Sequence, residues 1–537
     1  MTARQCGTMV VLGLAAAGLL AGLGGCSKSW YKEDADRGVY QIIDEKWQED
    51  FPSKANYRIS DVAPSEQDVV APAAAEVRGR LSLAEAVALA TAHNRDYQTQ
   101  KEGLYLAALS LTQARHEFAP QLAGALNGGY AKSPGGETVS GGANLGLGQS
   151  LAEGMDISLR VATDWLRYLT GDPRTSLGSV LSATVSQPLL RGAGRAIVQE
   201  NLTQAERSML YQLRDFNRYR QQFVVSRVSE YYNVLRNQDQ VENERKNYES
   251  LSYIHQRYQA LADAGRVERL RAADAMQNML QARDNYVRAQ ETYREQLDRY
   301  KITLGLPTEA AVVLDPNELK ALERLGVSDP NYDEGALIAT ALRYRLDLAN
   351  TMDEVADVER QLKVAENGLL PLLRLTGGLS ASTPGDTQQL ARFQFQQGTY
   401  RLGFEFDPDL DRLPERNAYR RALISMTRQR RAYEQAVDQV TFDARQALRN
   451  LREAASVYTI RQMSLKLAQK RVDGEQLKLQ AGTSVIRDLL DAQQSLVNAQ
   501  NALTNALVGY TVAQLEFARD LGILAVQPDG LWEVRTP

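Results

Sequence analysis

Cysteine is almost missing from this chain. Cys6 and Cys26 are the two thiols among 537 residues. Once Cys6 leaves with an N-terminal signal and Cys26 is modified, no thiol is left for a disulfide, a thiolate metal site or a cysteine nucleophile. Histidine is nearly as scarce: His93, His116 and His255 lie far apart, without HExxH spacing. A basic excess is missing too. The 62 Lys and Arg face 66 Asp and Glu, with no basic stripe of the kind a nucleic-acid partner needs. No Walker or GxSxG motif occurs. GAGRAI (Gly192–Ile197) opens like a dinucleotide loop, yet no βαβ pattern surrounds it. DPDLD (Asp407–Asp411) clusters carboxylates but lacks the glycine and distal glutamate of a calcium loop, and reads as a turn. These absences point away from an enzyme, a cofactor, a metal or nucleic acid.

Long apolar runs are also missing beyond the N-terminus, so no transmembrane helix is expected there. At the N-terminus, Arg4 precedes TMVVLGLAAAGLLAGLGG and then Cys26, which reads as a signal peptide over residues 1–25. LGGC (Leu23–Cys26) resembles the lipobox of bacterial lipoproteins. That implies cleavage before Cys26 and a diacylglycerol on its sulfur, and Ser27 resembles a signal for outer-membrane sorting. The competing reading is a simple signal peptide with an incidental cysteine. Residues 26–80 are polar with scattered aromatics and a Pro/Ala stretch, and read as a tether.

From Leu81 the chain is duplicated. Asp96 and Pro120 recur as Asp347 and Pro371, an offset of 251. Gly265 and Leu304–Leu306 recur as Gly482 and Leu521–Ile523, an offset of 217. The difference of 34 is surplus sequence between Pro120 and Pro188. The repeats cover 81–305 and 335–522, with 306–334 connecting them and 523–537 as a C-terminal tail. Neither glycine nor proline occurs from Arg195 to Ala264 or from Glu415 to Asp473. Helices of that length span on the order of 100 Å and need a coiled-coil partner. The heptad stripe Leu448, Leu451, Ala455, Tyr458, Gln462, Leu465, Gln469, Val472, Gln476, Leu479 provides one side. Leu489, Ala492, Leu496, Ala499, Leu503, Ala506, Tyr510, Ala513 and Phe517 on the return helix answer it. The first repeat keeps Met279, Tyr286, Tyr293 and Tyr300.

Between Gly124 and Gly194 lie 14 of the 38 glycines, so this stretch is not helical. GMDISLRVATDWL, VLSATVSQP and YRLGFEF alternate apolar and polar residues with a period of two. With the helices committed to seams, lipid is left to cover the apolar face, as in an outer-membrane barrel. Such a barrel must close. With two to four strands in the first repeat and about two in the second, closure requires more than one chain.

This pattern resembles the outer-membrane efflux (TolC-like) family over residues 81–523. The marks are the tandem repeat, the junction QPLLRGAGR (Gln187–Arg195) and the turn AGTSVIRDLLDAQQSL. The resemblance implies a mainly α protein with membrane β. A tandem-repeat coiled-coil tunnel, an α-helical barrel, would be continuous with an outer-membrane β-barrel shared between protomers of a homotrimer. It implies a lipid-anchored protein of the cell outer membrane that extends into the periplasm. There it would serve as the passive, gated exit duct of a tripartite efflux or secretion system, with a periplasmic adaptor (membrane fusion) protein and an inner-membrane pump as partners. Gly265, Gly482, Thr483 and Ser484 would form the hairpin tips and meet the adaptor. Asp488 and Asp491 would ring the periplasmic mouth, with Arg271 and Asp274 at the equivalent places of the first repeat. The surplus between Pro120 and Pro188 departs from the family's two strands per repeat; an extra hairpin either joins the barrel or lies outside it. A non-conducting, lipid-anchored coiled-coil scaffold of the envelope explains the helical stripes equally well.

Overall fold

In the computed structural model, residues 27–47, 56–59, 79–134, 136–168, 175–384, 390–481, 483 and 485–535 are described. In chain order the elements begin with α1 (Lys28–Lys46), β1 (Arg80–Leu81), α2 (Leu83–His93) and α3 (Arg95–His116). Strands β2 (Gln121–Ser133), β3 (Gly136–Ser150), β4 (Asp156–Tyr168) and β5 (Thr175–Pro188) follow. Next come the long helix α4 (Glu200–Asp263) and its return α5 (Arg269–Thr303). A connection of β6 (Val313–Leu314) and α6 (Asn317–Leu325) leads to α7 (Glu334–Tyr344) and α8 (Leu346–Gly368). Strands β7 (Leu372–Ser382) and β8 (Thr399–Asp407) precede α9 (Leu413–Gln480) and α10 (Ile486–Asp520). The hairpin β9 (Leu524–Val526) and β10 (Trp532–Val534) ends the order. The element order repeats, with α2 and α3 matched by α7 and α8, and α4 and α5 by α9 and α10. The described residues divide into two compact units.

One unit holds the sheet. Its strand order is β2-β3-β4-β5-β7-β8, every neighbour antiparallel. The first repeat therefore supplies four strands and the second two. Gly128, Gly129, Gly141 and Gly142 sit in β2 and β3, where ladder hydrogen bonds offset the entropy that glycine loses on ordering. Residues directly opposite across a ladder share a face. Leu126, Leu145, Val161, Leu181, Leu379 and Leu402 therefore all belong to one face, a member from each strand. Many of these apolar side chains are open: Leu402 is 82% exposed and Phe404 77%. The other face carries small and polar residues such as Ala125, Asn144, Ser158, Ser182, Thr376 and Gly403.

The same unit contains α1, inside the segment read as a tether. Val39, Ile42 and Ile43, spaced as one helical face, are buried. Tyr105 Oη donates to Asp36 at 2.7 Å, and Arg115 pairs with Glu45 at 3.3 Å. This stripe is short and set among charges, which is why the composition of the segment hides it.

The second unit is helical. A capping box starts α2: the Ser82 hydroxyl accepts from the Glu85 amide, and the Glu85 carboxylate accepts from the Ser82 amide at 2.9 Å. The hydrogen bonds from Ser82 hold that carboxyl below its usual range. Helices α9 and α10 pack antiparallel, burying Leu448, Leu451, Ala455 and Val472 against Leu489, Ala492, Tyr510 and Phe517. Gln462 and Gln469 of the expected stripe stay exposed, since a polar side chain has nothing to gain from an apolar seam. Leu507, Val508 and Leu515 are buried in addition, because α10 packs on a second front. Ile486 and Leu490 meet Leu251 and Tyr258 of α4 and Ala272, Ala275 and Ala282 of α5. Among the described residues no helix is long and apolar enough to cross a membrane.

Candidate functional site

The two helix-to-helix turns in the helical unit share a backbone hydrogen bond. Where α4 ends, the Gly265 amide donates to Ala262 O at 3.0 Å and the Arg266 amide to Leu261 O at 2.8 Å. This paired arrangement satisfies the last carbonyls of a helix and needs a left-handed residue at its centre. Gly265 supplies it, with φ +67°. Where α9 ends, the Thr483 amide donates to Lys478 O at 2.9 Å, the same bond 217 positions on. The Thr483 hydroxyl donates to that carbonyl as well, at 3.2 Å. Gly482 and Ser484 lie outside the described residues, as does Cys26.

Past the second turn, α10 presents two sides. Ile486, Leu489, Leu490 and Ala492 are buried, while Asp488 and Asp491 are exposed. Their spacing of three puts both carboxylates on one surface of the helix. Asp488 sits in the first turn, where a negative charge is favoured by the helix dipole. In the first repeat, Arg271 is exposed and pairs with Glu268 at 3.9 Å in its own turn. Asp274 is half-buried. The structure thus sets the two aspartates side by side on α10, and gives Arg271 a carboxylate partner on its own helix.

Sequence reasoning missed the polar seam between α4 and α10. The Thr504 hydroxyl donates to Asp239 at 2.8 Å, Asn243 to Asn501 at 3.0 Å, and Gln493 to Ser250 at 3.1 Å. Glu244 is 6% exposed with its Oε2 unsatisfied. Burial pushes its carboxyl above the usual range, against a hydrogen bond from Asn501. The signal was available: Asp239, Asn243 and Asn247 recur on α4 at four-residue steps, on one face of the helix.

It missed a charged cluster too. Arg345 is 8% exposed and sits between α7 and α8. It donates to Asp347 at 2.6 and 3.1 Å and to Asp443 of α9 at 2.7 Å. Burial works against ionised Asp347, but the hydrogen bond from Arg345 and the charge of Arg218 hold its carboxyl below the ordinary range.

With this geometry in place, comparison with known proteins is informative. Residues 337–522 match the outer membrane efflux protein family. That match covers the second repeat, about a third of the chain. Outer membrane protein TolC of Escherichia coli (strain K12) is 26% identical over 200 residues, 36% of this chain. The match spans 41% of the length of that relative. Among solved structures, the outer-membrane channel OprN superposes with a TM-score of 0.59 at 17% identity, covering 87% of this chain and 98% of its own. The CmeC outer membrane channel of Campylobacter jejuni gives 0.59 at 17%, covering 82% and 85%. The open MtrE channel of Neisseria gonorrhoeae gives 0.60 at 17%, covering 82% and 88%. The fold of these channels thus extends over most of the chain, well beyond residues 337–522.

Proposed function

We propose that this chain is the outer-membrane channel component of a tripartite efflux or secretion system, a passive gated exit duct across periplasm and outer membrane. One observation carries the reading: the same chain holds a six-stranded sheet with a continuous apolar face and two long helical hairpins. Lipid suits the first, and a helical conduit suits the second. The working unit is a homotrimer. It has no catalytic role; an inner-membrane pump provides the energy and a periplasmic adaptor links the two.

In this reading Gly265, Gly482, Thr483 and Ser484 form the tips that meet the adaptor. Asp488 and Asp491, repeated around the three-fold axis, form the periplasmic mouth, with Arg271 and Asp274 beside them. Like charges brought that close favour cations and repel anions. Cys26 carries the lipid anchor, residues 26–80 lead to the repeats at 81–305 and 335–522, and 306–334 joins them.

Single-channel recording in planar bilayers tests the proposal. The wild type should show small, cation-favouring conductance, and Asp488→Ala/Asp491→Ala a larger one with the cation preference lost. A folded oligomer that conducts in neither form would establish the non-conducting scaffold instead.

A further inference from the structure

We infer that the surplus hairpin β2–β3 is built into the wall of the barrel, and that β2 of one copy pairs antiparallel with β8 of the next. Each chain then contributes six strands. The inference rests on the channel reading above and adds to it where the extra sequence goes.

Three observations carry it. The apolar face does not stop at β4. Leu122, Leu126 and Tyr130 of β2 stand 73%, 59% and 59% exposed, on the same face as Tyr400, Leu402, Phe404 and Phe406 of β8. A hairpin folded away from the bilayer would have no use for such a row. The opposite face is continuous as well. Asn127, Gly142 and Asp164 lie in one row across β2, β3 and β4. A Cβ on Gly142 would collide with Asn127 Oδ1 and come within 3.0 Å of Asp164 Oδ1. The glycine leaves room for both neighbours to lean over β3, so the polar row runs on from β4 to β2.

Strand parity is the third. The six strands alternate in direction, so β8 runs opposite to β2. Rotating the chain about a barrel axis brings β8 beside the next β2 in antiparallel sense, with both apolar faces outward. An odd number of strands would make that seam parallel. Among the described residues β2 is paired only to β3 and β8 only to β7, and in lipid both open edges must be filled. Six strands closed within one chain leave no lumen, since about eight only just enclose side chains. Three copies would give about 18 strands, a size at which barrels hold an aqueous channel.

Cysteine cross-linking in the full-length, membrane-inserted protein tests this. Leu402→Cys on β8 is combined in turn with Gly124→Cys, Leu126→Cys or Gly128→Cys on β2, and separately with Val161→Cys on β4. Oxidation should shift most of the chain to covalently linked oligomers for at least one β2 position, and leave the β4 pair uncrosslinked. Linkage through Val161→Cys without linkage at any β2 position would place the hairpin outside the wall and overturn the inference. An intact oligomer that cross-links at neither strand overturns it as well. Absence of any membrane-inserted oligomer, measured by native mass, defeats the channel reading itself.

Discussion

Arg191 and Asp409 form an ion pair of 3.0 Å at the two places where the sheet ends. Arg191 stands just past β5, and Asp409 just past β8. Asp409 is the one non-glycine residue with positive φ among the described residues, at +47°. The DPDLD cluster is therefore a turn whose strained residue meets a cation from the other repeat. Asp409→Ala removes the pair and should lower stability by about 1–2 kcal/mol, with both side chains roughly a quarter exposed. Thermal unfolding in detergent measures it. Asp409→Gly, which relieves the strain but loses the charge, should fall between wild type and alanine.

Arg345 predicts a larger effect. Asp443→Ala takes away one of two carboxylates from a cation that is 8% exposed. Leaving a buried charge short of a partner costs about 3 kcal/mol, so unfolding of the helical unit should occur at a clearly lower denaturant concentration. Asp443→Asn, which keeps an acceptor oxygen, should recover part of the loss.

Two glycines that end helices should respond differently to alanine. Gly265 and Gly522 have φ of +67° and +73°. A Cβ on Gly265 meets nothing within 4 Å, whereas one on Gly522 comes within 2.7 Å of the Tyr344 carbonyl oxygen. Gly265→Ala should cost about 1 kcal/mol for the left-handed conformation alone. Gly522→Ala should cost more, because backbone must move. Equal losses in denaturant titrations would contradict this account.

Glu244 gives a pH dependence. Its folded pKa lies above the ordinary carboxylate value because burial disfavours the charge. Such a group favours the folded state most below its unfolded pKa and loses that contribution as pH rises through the folded pKa. Glu244→Gln should therefore stabilise the protein at neutral pH. The advantage should shrink on acidification and vanish below the unfolded carboxylate pKa. Unfolding curves at several pH values check the sign, and a constant difference would refute it.

Much of this protein is written in its local pattern. The long helices follow from stretches without glycine or proline, and β4, β5 and β8 from a period of two. The duplication follows from two constant offsets. Each is a property of neighbouring residues, which is what a one-dimensional sequence retains. Tertiary structure alone decided which residues meet across the repeats. Nothing local says that α10 packs on two fronts, that Asp239 finds Thr504, or that Arg345 finds Asp443. The Gly-rich stretch from Gln121 to Ser150 read only as not helical. Its strands exist because ladders to neighbouring strands fix a backbone whose own preferences are weak, and the pairing that does so connects residues far apart in the chain.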